Sequence, residues 1–181
     1  MNDVSNKASG LPVRKGGNRF PSLSQLVQQQ KECLLLDVSG SMAEWVEGGR
    51  KIDRLRSAIQ PFGLQVRKFI FSAQCHEVQT FLEPQLNTAL DRAFTTIKAV
   101  GISHTILVTD GLPDSEEGAI NASVGLKIDV IFVGRPDDEK AIAFLRRLCK
   151  QSGGQYGATV LSLEGQELLT QQIAGLLEGG Q

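Results

Sequence analysis

Most of the features that would name a function outright are missing from this chain of 181 residues. Its charges nearly cancel, 19 Lys and Arg against 20 Asp and Glu, so no global field points to nucleic acid or to an anionic membrane. No run approaches the ~18 apolar residues of a membrane span. Met1–Lys7 lacks the apolar centre of a signal peptide, and the expected location is cytoplasmic. Cysteine is scarce: Cys33, Cys75 and Cys149 lie far apart with no CxxC pair, and read as reduced structural thiols. There is no GxxxxGK phosphate loop, no GxSxG nucleophile elbow and no glycine-rich dinucleotide fingerprint. The two histidines, His76 and His104, stand at no recognisable spacing from each other or from a carboxylate, and read as satisfied surface or edge residues. Arg146, Arg147 and Lys150 read as a solvated helix face.

What is present suits one α/β domain, with 41% hydrophobic and 22% charged residues. Residues 1–20 read as a flexible arm, basic at Lys7, Arg14, Lys15 and Arg19. Residues 21–181 read as the single domain, entered through a short helix over Pro21–Glu32. Apolar runs and helical faces then alternate. Strands are expected at Cys33–Leu36, Val66–Phe71, His76–Phe81, Thr105–Thr109, Ile128–Val133 and Tyr156–Leu161. Helical faces are marked by Ile52/Leu55/Ile59, Leu90/Ala93/Phe94/Ile97, Ala141/Phe144/Leu145/Leu148 and Leu168/Leu169/Ile173/Leu176/Leu177, with a weaker stretch at Glu116–Val124. Only Ser72-Ala73-Gln74 separates the second and third strands, too short for a parallel crossover, so the third must run antiparallel at an edge. The expected fold is a doubly wound, mostly parallel six-stranded sheet with one antiparallel edge strand and helices on both faces.

One stretch carries the chemistry. The apolar run Cys33-Leu34-Leu35-Leu36 ends abruptly in Asp37-Val38-Ser39-Gly40-Ser41-Met42. Oxygens at Asp37, Ser39 and Ser41 alternate along a tight loop and can converge on one hard cation beyond the strand end. A second strand ends in Thr109-Asp110-Gly111, and two carboxylates sharing a crevice favour a divalent ion between them. Thr88, just ahead of the Leu90 helix, is a third donor or a helix cap.

On these residues the chain resembles a von Willebrand factor A domain with a metal-ion-dependent adhesion site, a Rossmann-like fold. Asp37, Ser39 and Ser41 match its DxSxS motif, Thr88-Ala89-Leu90 with Ala93-Phe94 its threonine loop, and Ile106–Gly111 its aspartate strand. Phe69-Ile70-Phe71-Ser72, Ile128–Gly134 and Ser152-Gly153-Gly154 extend the likeness over about residues 31–178. Many relatives carry a glycine pair before the threonine, where this chain has Leu86-Asn87; asparagine tolerates a left-handed backbone better than most residues.

The resemblance implies that Asp37, Ser39, Ser41, Thr88 and Asp110 hold Mg²⁺, with Mn²⁺ or Ca²⁺ as alternatives, and that a partner protein's Asp or Glu completes the metal shell. It implies an adaptor or assembly factor beside an ATPase, kinase or other complex, with no catalysis, nucleic acid or membrane involved. Met42, Trp45 and Val46, with Leu112-Pro113-Asp114, would form one rim, with Trp45 either a partner anchor or packed on the first helix. The rival readings are a metal-dependent phosphatase and a metal-independent structural protein. The haloacid-dehalogenase pattern of the first would need an acid where Ser39 stands.

Overall fold

The computed structural model describes residues 31–79 and 83–179. The basic arm, most of the Pro21–Glu32 helix and the Thr80-Phe81 end of the expected third strand lie outside the described residues. Among the described residues, eight strands and five α-helices follow in chain order. They are β1 (Glu32–Asp37), β2 (Trp45–Val46), β3 (Gly49–Arg50), α1 (Lys51–Ile59), β4 (Arg67–Phe71), β5 (Cys75–Glu77), α2 (Leu90–Ala99), β6 (His104–Thr109), α3 (Glu116–Ser123), β7 (Lys127–Phe132), α4 (Glu139–Ser152), β8 (Tyr156–Ala158) and α5 (Leu163–Gly179).

The main sheet has the order β5-β4-β1-β6-β7-β8. All its pairs are parallel except β4–β5, in which Ile70 faces His76. The expected doubly wound sheet with one antiparallel edge is therefore the observed one. Every residue of β1 is buried, as a central strand covered on both faces requires. Its alternate side chains feed two cores. Cys33 and Leu35 join Phe69, Leu107, Val130 and the apolar faces of α2, α3 and α4. Leu34 and Leu36 join Ile70, Ile106, Ile131 and the faces of α1 and α5.

Helix boundaries follow local chemistry. Ser115 and Asp138 cap α3 and α4 by accepting from the backbone N–H groups of Gly118 and Ala141. Helix α4 ends at Gly153, whose φ of 73° is the left-handed turn glycine adopts freely. In α5 the buried face is Gly165, Leu169 and Ile173, whereas Leu168, expected on that face, is 51% exposed. A four-residue stagger describes this helix better than an apolar count. Strands β5 and β8 are each three residues long, shorter than their apolar runs suggested.

His104 corrects the reading of an edge histidine. It is buried at the start of β6, its Nε2 2.6 Å from an Asp129 carboxylate oxygen and its Nδ1 3.3 Å from Glu32. Pairing of Glu32 with His104 across β1 and β6, and of His104 with Lys127 across β6 and β7, brings these groups together at the end of the sheet opposite the candidate site. Burial opposes a charged ring, but hydrogen bonds to Asp129 and Glu32 outweigh it and raise the His104 pKa. His76 is exposed, as expected. All three cysteines are free, and burial pushes their thiols up to about 12, where they are inert at neutral pH.

Candidate functional site

The site is built where the sheet changes direction. Strand β1 has β4 on one side and β6 on the other, so successive crossovers leave in opposite senses and open a crevice at the carboxyl ends of β1 and β6. Asp37 closes β1, is fully buried, and spends both oxygens on its own surroundings. Its Oδ1 accepts from the Ser39 backbone N–H at 2.7 Å and its Oδ2 from the Thr109 hydroxyl at 2.6 Å. The next residues turn as a short 3-10 helix, Gly40–Ala43, which buries Met42 as a plug and leaves Ser41 at the surface. Met42 therefore belongs to the core and not to the expected rim. The Ser39 and Ser41 hydroxyl oxygens lie 3.1 Å apart, and Ser41 donates to Asp110 Oδ1 at 2.7 Å. Four of the five expected residues thus form one hydrogen-bonded chain.

Thr88 reaches the site by a different route. Its loop is anchored to the strand ends by the Gln85 N–H on the Val38 carbonyl and the Ala89 N–H on the Ser72 carbonyl, each 2.8 Å. Asn87 takes φ 80°, a left-handed turn that asparagine tolerates. The Thr88 N–H donates to Asp114 Oδ1 at 3.1 Å, and the Asp114 N–H returns a bond to the Thr88 carbonyl at 3.0 Å. The cap of α2 is Ala89, with no side-chain hydrogen bond, so the capping role considered for Thr88 is not the one it has. Among the described residues, Thr88 is tied to Asp114 through its backbone, and no hydrogen bond links it to Asp37, Ser39, Ser41 or Asp110.

A buried cation already sits beside Asp110. Lys51, the first residue of α1, places Nζ 2.8 Å from Asp110 Oδ2 and 2.6 Å from Glu44 Oε2. The Lys51 side chain is 9% exposed and that of Asp110 is 1% exposed, whereas Glu44 lies at the solvent edge. Burial disfavours the ammonium, but the hydrogen bonds to Asp110 and Glu44 prevail and raise its pKa. Asp37 has no such partner, and its pKa is pushed up to about 6 by burial first and by the Asp110 charge second. Hydroxyl and carboxylate oxygens are hard donors, and a divalent ion would relieve the strain of holding Asp37 ionised, so the donor set fits such a cation. Among the described residues no three His, Cys, Asp or Glu side chains gather as a ready-made metal cluster. The candidate site is rich in hydroxyls instead.

No protein-family model and no curated protein matches the chain. Solved structures do. The conserved hypothetical protein BatB from Bacteroides thetaiotaomicron superposes with a TM-score of 0.60 at 16% identity, over 81% of this chain and 98% of that one. The VWA domain of SpRpn10 also gives 0.60, at 9% identity, over 78% and 93%. The chain has the von Willebrand factor A fold. The manganese-loaded TRAP protein of Plasmodium vivax shares that fold at 18% identity and a TM-score of 0.53, covering 78% of this chain and 72% of its own.

Within this von Willebrand factor A fold several residues act on the site that sequence reasoning did not single out. Thr109 carries no local signal, because its role appears only once β1 and β6 are adjacent, and Asp114, expected only as a rim residue, holds the Thr88 backbone. Lys51 did carry one: with Leu55 and Ala58 it occupies the buried face of α1, where a lysine needs a partner. Gly134 is a further case, since a Cβ there would run into the Asp110 carbonyl oxygen and the Phe132 ring. Around the mouth, Trp45 on the β2–β3 hairpin is 80% exposed, and so is Leu86 on the threonine loop. Trp45 is therefore not packed on α1, and Pro113, expected on the rim, is buried.

Proposed function

We propose that this chain is a divalent-cation-dependent protein-binding module that works as an adaptor or assembly factor and not as an enzyme. Asp37, Ser39, Ser41, Thr88 and Asp110 would hold Mg²⁺, with Mn²⁺ or Ca²⁺ as alternatives. A bound ion supplies a Lewis-acidic docking point for one carboxylate, provided by a partner's Asp or Glu. The observation that carries this reading is the Asp37–Ser39–Ser41–Asp110 chain at the switch point of the sheet, with Asp37, Ser39 and Asp110 buried beneath and Ser41 at the surface above. A manganese-loaded protein of the same fold supports it.

Asp37 speaks against the phosphatase reading. A nucleophilic carboxylate must face substrate directly, whereas Asp37 is fully buried, with its oxygens held by the Ser39 N–H and by the Thr109 hydroxyl at the end of β6. Trp45 and Leu86 supply exposed apolar area beside the mouth, which suits a partner surface.

The test is affinity capture from the native host lysate with wild type in Mg²⁺, wild type in chelator, and Asp37→Ala. A protein retained only by wild type in Mg²⁺ is the expected result. The same proteins in all three arms would sink the metal-dependent reading and favour a structural role.

A further inference from the structure

Lys51 is an unusual neighbour for a cation site, because it places a fixed positive charge against one of the two acids. The geometry keeps it from blocking the serines. Its ammonium binds Asp110 Oδ2, while Ser41 holds the other oxygen, Oδ1. A cation on the serine side and the ammonium on the far side can therefore share Asp110.

The consequence is one of charge. Asp37 and Asp110 bring two negative charges to the buried site and Lys51 returns one positive, leaving a single net negative charge. A divalent ion turns that to one net positive, and a partner carboxylate brings it to neutrality. Without Lys51 the loaded site would be neutral already, and an incoming carboxylate would leave a buried excess of negative charge. Such an excess is costly in a low-dielectric setting. Glu44 offsets little of this, being on the solvent side with its side chain 61% exposed.

We propose that Lys51 is a specificity-determining residue: its ammonium lowers cation affinity and in exchange makes the loaded site demand an anionic ligand. The inference rests on the cation reading above and assigns to Lys51 the preference for a carboxylate over a neutral oxygen. It acts through charge and not by touching the ligand.

The test uses Mn²⁺ alone as the first probe and acetate, with acetamide as its neutral counterpart, as the second. Mn²⁺ binding is followed by electron paramagnetic resonance, and acetate is titrated into the loaded protein by water-proton relaxation. Lys51→Met is expected to bind Mn²⁺ about tenfold more tightly and acetate about tenfold more weakly, with acetamide unchanged. Lys51→Arg, which keeps the charge, is expected to restore wild-type behaviour. Lys51→Gln retains a donor for Asp110 without the charge, and carries the test if the methionine variant does not fold. Unchanged Mn²⁺ affinity, or a fall in both affinities together, would overturn the inference while leaving the cation site intact. Failure of wild type and every variant to bind Mn²⁺ would overturn the cation reading itself, and this inference with it.

Discussion

Replacing Asp37 by asparagine is expected to stabilise the cation-free protein while removing a proposed ligand. Burial, followed by the Asp110 charge, raises the Asp37 pKa from 3.8 to about 6. The folded value lies above the unfolded one, so the native state holds its proton longer. Wild type therefore loses stability as pH rises from about 4 through about 6, and the loss is complete above that range. At about 1.4 kcal/mol per pH unit the loss is about 3 kcal/mol. Asparagine carries no charge and escapes it. Its carbonyl can still accept from the Ser39 N–H, but the bond from the Thr109 hydroxyl is lost or reversed, at about 1–1.5 kcal/mol. The balance is a gain of about 1–2 kcal/mol at pH 8, vanishing or reversed at pH 4. Urea denaturation in chelator at the two pH values measures it, the midpoints being compared at a common slope. Saturating Mg²⁺ should raise the wild-type midpoint alone. A variant equally destabilised at both pH values would refute the reasoning, because Asp37 would then be stabilising as an ionised acid.

Other residues give equally direct outcomes. Ser41→Ala removes the donor to Asp110 Oδ1, and is expected to weaken Mn²⁺ binding at least tenfold while changing apo stability by only about 0.5–1.5 kcal/mol, read by calorimetric titration and urea melts. Gly134→Ala drives a methyl group into the Asp110 carbonyl and the Phe132 ring; a loss of about 1–3 kcal/mol in urea melts, accompanied by weaker cation binding, is expected. His104 has a raised folded pKa, so its contribution is present below the ordinary 6.5 and is lost as pH rises through the higher folded value. Asp129 is lowered below 3.8, its hydrogen bonds to His104 and the Gln155 N–H overcoming burial, so its contribution is lost only as pH falls through that lower value. His104→Gln is expected to flatten the stability profile above pH 6.5, and an unchanged profile would show that the ring is not charged in the folded protein.

The central strands were legible because parallel strands buried on both faces must be apolar throughout, as Cys33–Leu36 and Ile106–Val108 are. The polar residues that end such runs, Asp37 and Asp110, are conspicuous for the same reason. The loop of Ser72–Gln74 dictated the antiparallel edge by its length alone. Strand pairing, by contrast, is invisible in a linear reading. Glu32, His104 and Asp129 are 72 and 25 residues apart and meet only through the register of β1, β6 and β7. Thr109 is likewise an ordinary strand residue until β6 lies beside β1. The hairpin of Trp45–Val46 with Gly49–Arg50 is too short to show a period of two, so the sequence placed Trp45 on the rim without deciding between an exposed anchor and a side chain packed on the first helix.

The most direct test of the account is a calorimetric titration of Mn²⁺ into wild type, Asp37→Ala and the double variant Ser39→Ala/Ser41→Ala, with folding verified by circular dichroism. The account predicts one saturable site in wild type and none in either variant. No binding in wild type, or equal binding in all three folded proteins, would contradict it.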